Sequence, residues 1–248
     1  MSETTDFELE NLHSTCREWG AFQTPLEEKM KYKIRPGSVE GYGLSLIRSQ
    51  DQKLDWGDRF YMITNPFHRR NPHLLSELPP SLSEDDLLSS MPTTRAGDGL
   101  TPHSDASGIT VLLQVNGVDG LQVKKDGVWI PVNFLPDAFV VNLGDILELE
   151  VRSSTITDCT NCEQWDLQQH RAQAVANSVT ERISIAMFFN TKFSAEIGPA
   201  IGLINPQNPP LFKRVGMEKY FRDFFARKLE GKAYLEYMKI KNGEGDTA

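Results

Sequence analysis

The sequence lacks any apolar run of the roughly 18 residues that a bilayer-spanning helix requires. Its opening, Met1 to Glu10, is acidic and has no apolar centre, so no secretory leader is read there. It also lacks a surplus of basic charge: 26 Lys and Arg stand against 34 Asp and Glu, a net charge of −8. That balance argues against nucleic acid, which is engaged through a basic face, and against an anionic membrane surface. Basic residues do gather at Lys29, Lys31, Lys33 and Arg35, but Glu27 and Glu28 sit beside them, the pattern of a solvated helix face. Cysteine is scarce, with only Cys16, Cys159 and Cys162. An odd, small number without a leader reads as reduced thiols in a cytoplasmic protein. Cys159 and Cys162 form one C-x-x-C, yet the two further ligands of a zinc site do not follow at comparable spacing.

What is present suits a mainly β chain flanked by helices. The 248 residues suffice for one large domain or two small ones. Phe7, Leu9, Leu12, Cys16 and Trp19 recur at helical spacing over 6–19. Thr24-Pro25-Leu26-Glu27 starts a second helix, with Thr24 as cap and Glu27 completing a capping box, ending near Lys33. Gly41-Tyr42-Gly43 suggests an irregular approach to a strand, and a strand-like run ends at Ile63. Residues 81–99 are rich in Ser and Asp and read as linker. From residue 100 onward short strands crowd together. Strands are read at 109–115, 121–124, 128–132, 138–143 and 182–189, with an alternating strand at 146–150. Asp126-Gly127 marks a tight primed hairpin turn. Strands this short and close suggest a double-sheet jelly roll or barrel. Tyr220, Phe221, Phe224, Phe225 and Leu229 form an aromatic helix face, read chiefly as packing, and another helix follows Gly231. Phe212, Phe221 and Phe225 are also candidates for lining a pocket.

The chemistry centres on His103-Ser104-Asp105. On a strand, residues two apart share a face, so an imidazole and a carboxylate here can share a metal ion. Alone the motif is weak; a strand-end histidine beside a turn-capping aspartate reads equally well. His170 offers a third ligand, and two histidines with one carboxylate on one face of iron leave positions open for substrate or oxygen. Arg182-Ile183-Ser184 repeats the two-residue spacing. A guanidinium grips a carboxylate with two parallel hydrogen bonds and a nearby hydroxyl adds a third, although Arg152-Ser153-Ser154 matches the same pattern.

The order of these signals resembles the plant 2-oxoglutarate- and iron(II)-dependent dioxygenases, above all the senescence-related, SRG1-like members, with alkaloid demethylases and flavonoid oxygenases beside them. The resemblance runs through Thr101 to Gln114, Gly120 to Val123, Asp126 to Val132 and Asn142 to Glu148. It continues in His170-Arg171 and Glu181 to Ala186, and upstream in Cys16 to Gly20 and Asp51 to Asp58. It implies a double-stranded β-helix core, apparently truncated. The implied division is an incomplete N-terminal region over 1–99, an iron and 2-oxoglutarate core over 100–190, and a C-terminal loop and helices over 191–248. It implies that His103, Asp105 and His170 hold Fe(II), that Arg182 and Ser184 bind the far carboxylate of 2-oxoglutarate, and that ascorbate serves as reductant. The implied reaction oxidises a small specialised metabolite by hydroxylation, demethylation or desaturation, with release of succinate and CO2. Oligomeric state is left open.

Three departures interrupt the match. The Asn-His-Gly segment and helix that follow such a Trp-Gly-x-Phe-Gln run are missing after Gln23, a helical stretch and pocket strand are missing between Leu82 and Leu100, and 151–169 is polar where a turn and strand belong. Loss of backing helices would expose apolar sheet surface. A catalytically impaired isoform, binding a metal or partner at most, is therefore the competing reading. A metal-binding cupin-like protein without 2-oxoglutarate is a third, opposed by Arg182 and Ser184.

Overall fold

The structure, a computed structural model, describes residues 25–36, 38, 40–43, 59–63, 67–75, 93–94, 100–136, 138–151, 171–175, 177, 179–226 and 233–240. The helix read over 6–19, the cap Thr24, all three cysteines and His170 lie outside the described residues.

Two four-stranded sheets form the centre of the molecule. Numbered in chain order with the small N-terminal strands β1 (Gly41–Gly43) and β2 (Arg59–Tyr61), the strands are β3 (Thr93–Thr94), β4 (Leu100–His103), β5 (Ile109–Gln114), β6 (Leu121–Lys125), β7 (Val128–Pro131), β8 (Phe139–Leu143), β9 (Arg171–Ala174) and β10 (Arg182–Phe189). One sheet has the order β3-β10-β5-β8 and the other β4-β9-β6-β7, and every pairing is antiparallel. Neighbours in each sheet are mostly far apart in sequence, the crossed connection of a jelly roll, also called a double-stranded β-helix. β3 falls within the segment read as linker. Only its pairing with Arg182 and Ile183 makes it a strand, a long-range effect that local composition does not encode.

The β6–β7 hairpin forms at the expected turn. Asp126 and Gly127 have φ of 49° and 81°, the primed geometry whose twist matches that of paired strands. The alternating segment after Gly144 behaves differently. It forms helix α3 (Asp145–Val151), following α1 (Leu26–Lys29) and α2 (Pro72–Leu75). Ile146 and Leu149, three residues apart, both turn into the core, whereas strand alternation would have placed them on opposite faces. Helix α1 starts one residue after Pro25 and carries no side-chain cap. Glu27 and Glu28 are exposed as anticipated, Lys29 is half-buried with its ammonium over the Tyr42 ring, and Lys31 meets Glu28 at the surface. Gly41 to Gly43, read as an approach to a strand, is itself a strand paired with β2.

The main core lies under the loop that follows Asp105. Ile146, Leu149, Ile197, Phe212, Tyr220 and Tyr234 interlock there, the last two from helices α4 (Met217–Ala226) and α5 (Ala233–Met238), and Ala106 packs on the same cluster. Phe212 is a core residue; Phe221 packs against the same core and stacks on Phe193, while the Phe225 side chain lies outside the described residues. A second cluster, Leu113, Val115 and Ile185, sits on the outer face of the β10–β5–β8 sheet. On that face Phe139, Val141 and Phe189 remain 38%, 60% and 54% exposed. No helix among the described residues is long and apolar enough to cross a membrane.

Candidate active site

The inner face of the β10–β5–β8 sheet carries a set of polar side chains among apolar ones. The register sets Ser184 opposite Gln114, and Thr110 opposite both Asn142 and Phe188. Arg182 precedes Ser184 by two residues and so shares this face.

His103 closes β4, and Asp105 lies two residues beyond it, outside any strand and just before the bend at 106–108. The alternation survives the strand end. Ser104 turns the other way and donates from Oγ to Asp145 Oδ2 at 2.9 Å. His103 and Asp105 converge, with Nε2 to Oδ1 at 3.5 Å. The loop is clamped from below: Asp145 N donates to Asp105 O at 2.8 Å, Ile146 N to Ser107 O at 3.1 Å and Gly144 N to Gly108 O at 2.7 Å. This close approach needs glycine at 144, because a Cβ there would lie 1.9 Å from Ser107 O.

The other polar atoms of the pair are committed. His103 Nδ1 lies 2.8 Å from Thr101 O, so it carries the proton and donates. Asp105 Oδ2 accepts from Thr110 Oγ1 at 2.7 Å and from Asn142 Nδ2 at 2.6 Å. Burial disfavours the His103 imidazolium, but the hydrogen bond and charge of Asp105 outweigh it and hold the group above its ordinary value. Burial likewise opposes the Asp105 carboxylate, but His103, Thr110 and Asn142 together hold it below its ordinary value. What remains is one imidazole nitrogen lone pair and one carboxylate oxygen aimed at the same spot. That donor set fits a divalent transition metal, with Thr101, Thr110 and Asn142 as the outer partners that orient metal ligands. Among the described residues no group of three His, Cys, Asp or Glu could hold a metal, and His170, the expected third ligand, lies outside them.

Arg182 is 3% exposed and Ser184 2%. Arg182 Nη1 donates to Ser184 Oγ at 3.1 Å and Nη2 to Gln114 Oε1 at 3.3 Å. Phe134 lies beneath the guanidinium, its ring centroid 5.8 Å from Cζ. Arg182 Nε is buried without a hydrogen-bond partner among the described residues. Burial lowers the Arg182 pKa to about 10, against the pull of Asp119, so it remains a cation near neutrality. A buried cation with an unused donor fits a carboxylate ligand. The arrangement brings together His103 with Asp105, and Arg182 with Ser184. Sequence reasoning missed Thr101, Thr110, Gln114, Phe134 and Asn142. None belongs to a short motif, and the alternation that placed Thr110, Gln114 and Asn142 on one face was the available signal.

Comparison with known proteins gives the family and the fold. Residues 87–191 match the 2OG-Fe(II) oxygenase superfamily, and residues 21–81 match the non-haem dioxygenase in morphine synthesis N-terminal family. The chain is 36% identical to oxoglutarate-dependent flavonoid 7-O-demethylase 1 of Ocimum basilicum, over 95% of this chain and 78% of that protein. It is 37% identical to Protein SRG1 of Arabidopsis thaliana, over 96% and 82%. It is 36% identical to codeine O-demethylase of Papaver somniferum, over 94% and 80%. In the first match, 95% of 248 residues, about 236, fall within 301 aligned positions, so the relative carries about 65 positions that this chain skips. The fold is that of JOX2, whose crystal structure holds 2OG, Fe and JA, with a TM-score of 0.76 and 24% identity over 95% of this chain and 79% of that one. A shortened chain that keeps both four-stranded sheets, and that matches such relatives along nearly its whole length, belongs to the plant 2-oxoglutarate- and iron(II)-dependent dioxygenase family of oxidoreductases.

Proposed function

We propose that His103, Asp105 and His170 hold Fe(II), and that Arg182 and Ser184 receive the far carboxylate of 2-oxoglutarate, in an enzyme that oxidises a small plant specialised metabolite. Bound Fe(II) with 2-oxoglutarate supplies the oxidation of a substrate C–H bond by O2, yielding succinate and CO2. The convergence of His103 Nε2 and Asp105 Oδ1 carries the reading. β9 begins at Arg171, directly after His170, and its Ala172 is the register partner of His103, which favours His170 as the third ligand.

Each residue has a defined task. Thr101 keeps the proton on His103 Nδ1 and leaves Nε2 for the metal. Thr110 and Asn142 hold Asp105 Oδ2, which turns Oδ1 inward. Arg182 and Ser184 supply charge-assisted hydrogen bonds to the cosubstrate, each contributing about 1.5–3 kcal/mol. The names of the relatives favour O-demethylation among hydroxylation, demethylation and desaturation. Ascorbate as reductant, a cytoplasmic location and the division at 1–99, 100–190 and 191–248 belong to the same reading.

The test is an anaerobic titration of the metal-free chain with Fe(II) and then 2-oxoglutarate, following the visible metal-to-ligand charge-transfer absorbance. A saturable band, lost in His170→Ala and weakened in Arg182→Ala, is expected. A folded chain that gives no band would instead be a catalytically impaired isoform.

A further inference from the structure

A buried arginine ordinarily finds a carboxylate; among the described residues Arg182 has a neutral cage instead. Its two terminal nitrogens donate to a hydroxyl, Ser184 Oγ, and to an amide carbonyl, Gln114 Oε1. Gln114 is itself 7% exposed. Its other end, Nε2, donates to the carbonyl of Val118 just beyond β5. That second bond fixes which way the amide points, because its nitrogen is engaged away from the guanidinium and its oxygen must face Arg182. The β5–β10 register sets Gln114 directly opposite Ser184, so both acceptors reach Arg182 from one rung of the ladder. Val115 N donates to Ile183 O at 3.0 Å and Ile183 N donates to Asn116 Oδ1 at 3.0 Å, which extends the ladder past the end of β5. Asp119, the carboxylate whose charge Arg182 feels, is exposed rather than part of the cage.

The choice of amide over acid has a chemical consequence. Glutamate has the same length and shape as glutamine. At this position it would place a carboxylate beside the guanidinium and form a charge-assisted pair. That pair would neutralise the cation and occupy the donors that an incoming carboxylate uses. An amide aims the guanidinium through one weak bond and adds no negative charge beside it. The unused Nε is what such an arrangement leaves for a ligand.

We propose that Gln114 is a positioning residue for dicarboxylate binding: its fixed amide aims Arg182 without neutralising it, and so selects a 2-oxo acid that carries a second, distal carboxylate. This rests on the reading that Arg182 receives that distal carboxylate. Among the described residues Gln114 hydrogen-bonds to Arg182 and to the Val118 carbonyl, and to neither His103 nor Asp105. Its effect is therefore confined to the far end of the cosubstrate.

The test compares two 2-oxo acids on the Fe(II)-loaded chain under anaerobic conditions, using calorimetry and the charge-transfer band. 2-Oxoglutarate has the distal carboxylate and pyruvate lacks it. Gln114→Glu is expected to weaken 2-oxoglutarate by roughly tenfold or more, about 1.4 kcal/mol, and to leave pyruvate within about twofold. Gln114→Met keeps the volume and removes the amide; it is expected to weaken 2-oxoglutarate several-fold, again without affecting pyruvate. Binding of 2-oxoglutarate by Gln114→Glu within about twofold of the unaltered chain overturns the proposal, as does equal loss for both acids. If Gln114→Glu does not melt cooperatively, the same contrast in Gln114→Met decides. Failure of the underlying reading looks different: the unaltered chain and Arg182→Ala would then each bind the two acids alike.

Discussion

His103 Nε2 faces Asp105 Oδ1 across 3.5 Å, while Nδ1 of the one and Oδ2 of the other are already held by Thr101, Thr110 and Asn142. Two donors from one three-residue segment are thereby aimed at a single point by Thr101 on the same strand and by partners on two other strands, β5 and β8. The aim of the pair depends on these outer partners as much as on the pair itself.

Thr110→Val is accordingly expected to weaken Fe(II) binding by roughly 10–100-fold, the usual cost of losing an outer partner of a metal ligand. Valine nearly matches threonine in volume, so the fold should persist. Asp105→Asn should cost more, since it removes the carboxylate charge that faces His103. Anaerobic equilibrium dialysis measures both; a Thr110→Val chain with unchanged affinity would show that Asp105 needs no help from β5.

Arg182→Lys is expected to weaken 2-oxoglutarate by roughly 10- to 150-fold, the equivalent of one lost charge-assisted bond of about 1.5–3 kcal/mol. An ammonium keeps the charge but lacks the planar fork. In the unaltered chain Arg182 titrates at about 10, so its contribution to binding should stay level from pH 7 to about pH 9 and fall only as pH rises through about 10. Calorimetric titration across that range checks both statements.

Gly144→Ala is expected to destabilise the fold by about 1–3 kcal/mol, the usual cost of forcing extra volume into a packed site. The added Cβ would collide with Ser107 O and push the loop bearing Asp105 off its backbone clamp. Urea unfolding gives the stability, and Fe(II) affinity should fall with it.

Tyr220 supplies a prediction away from the site. Burial, with the charge of Asp145 behind it, pushes its phenol well above the ordinary value, and its hydroxyl finds no hydrogen-bond partner among the described residues. The folded chain keeps this proton to higher pH than the unfolded chain, which releases it near pH 10. Stability must therefore fall as pH rises above about 10. Tyr220→Phe should flatten that decline and, at neutral pH, be neutral or stabilise by up to about 1 kcal/mol by removing an unpaired buried hydroxyl. Thermal melts of both chains between pH 7 and 11 decide it.

Much of the β region was legible from local pattern. The β6–β7 hairpin follows from Asp126-Gly127, and β5, β8 and β10 from their apolar runs, because each is determined by residues adjacent in sequence. The segment after Gly144 was misread for an equally physical reason. Ile146-Leu147-Glu148-Leu149-Glu150 satisfies period two, but burial of Ile146 and Leu149 in one core cluster with Tyr220 and Tyr234 rewards period 3.6, and those partners lie about 70 to 90 residues onward. β3 was invisible because its strand character comes from pairing with Arg182 and Ile183.

By itself the sequence determined the family, the jelly-roll class and the chemical identities of His103, Asp105, Arg182 and Ser184, since these depend on residue type, order and short spacing. Tertiary structure decided their geometry. It carried the His103–Asp105 alternation past the strand end, set Asn142 and Thr110 on Asp105, and laid Gln114 across from Ser184 to hold Arg182. Those relations join residues up to 70 positions apart, as Gln114 and Ser184 are, through sheet register, which no local pattern can encode.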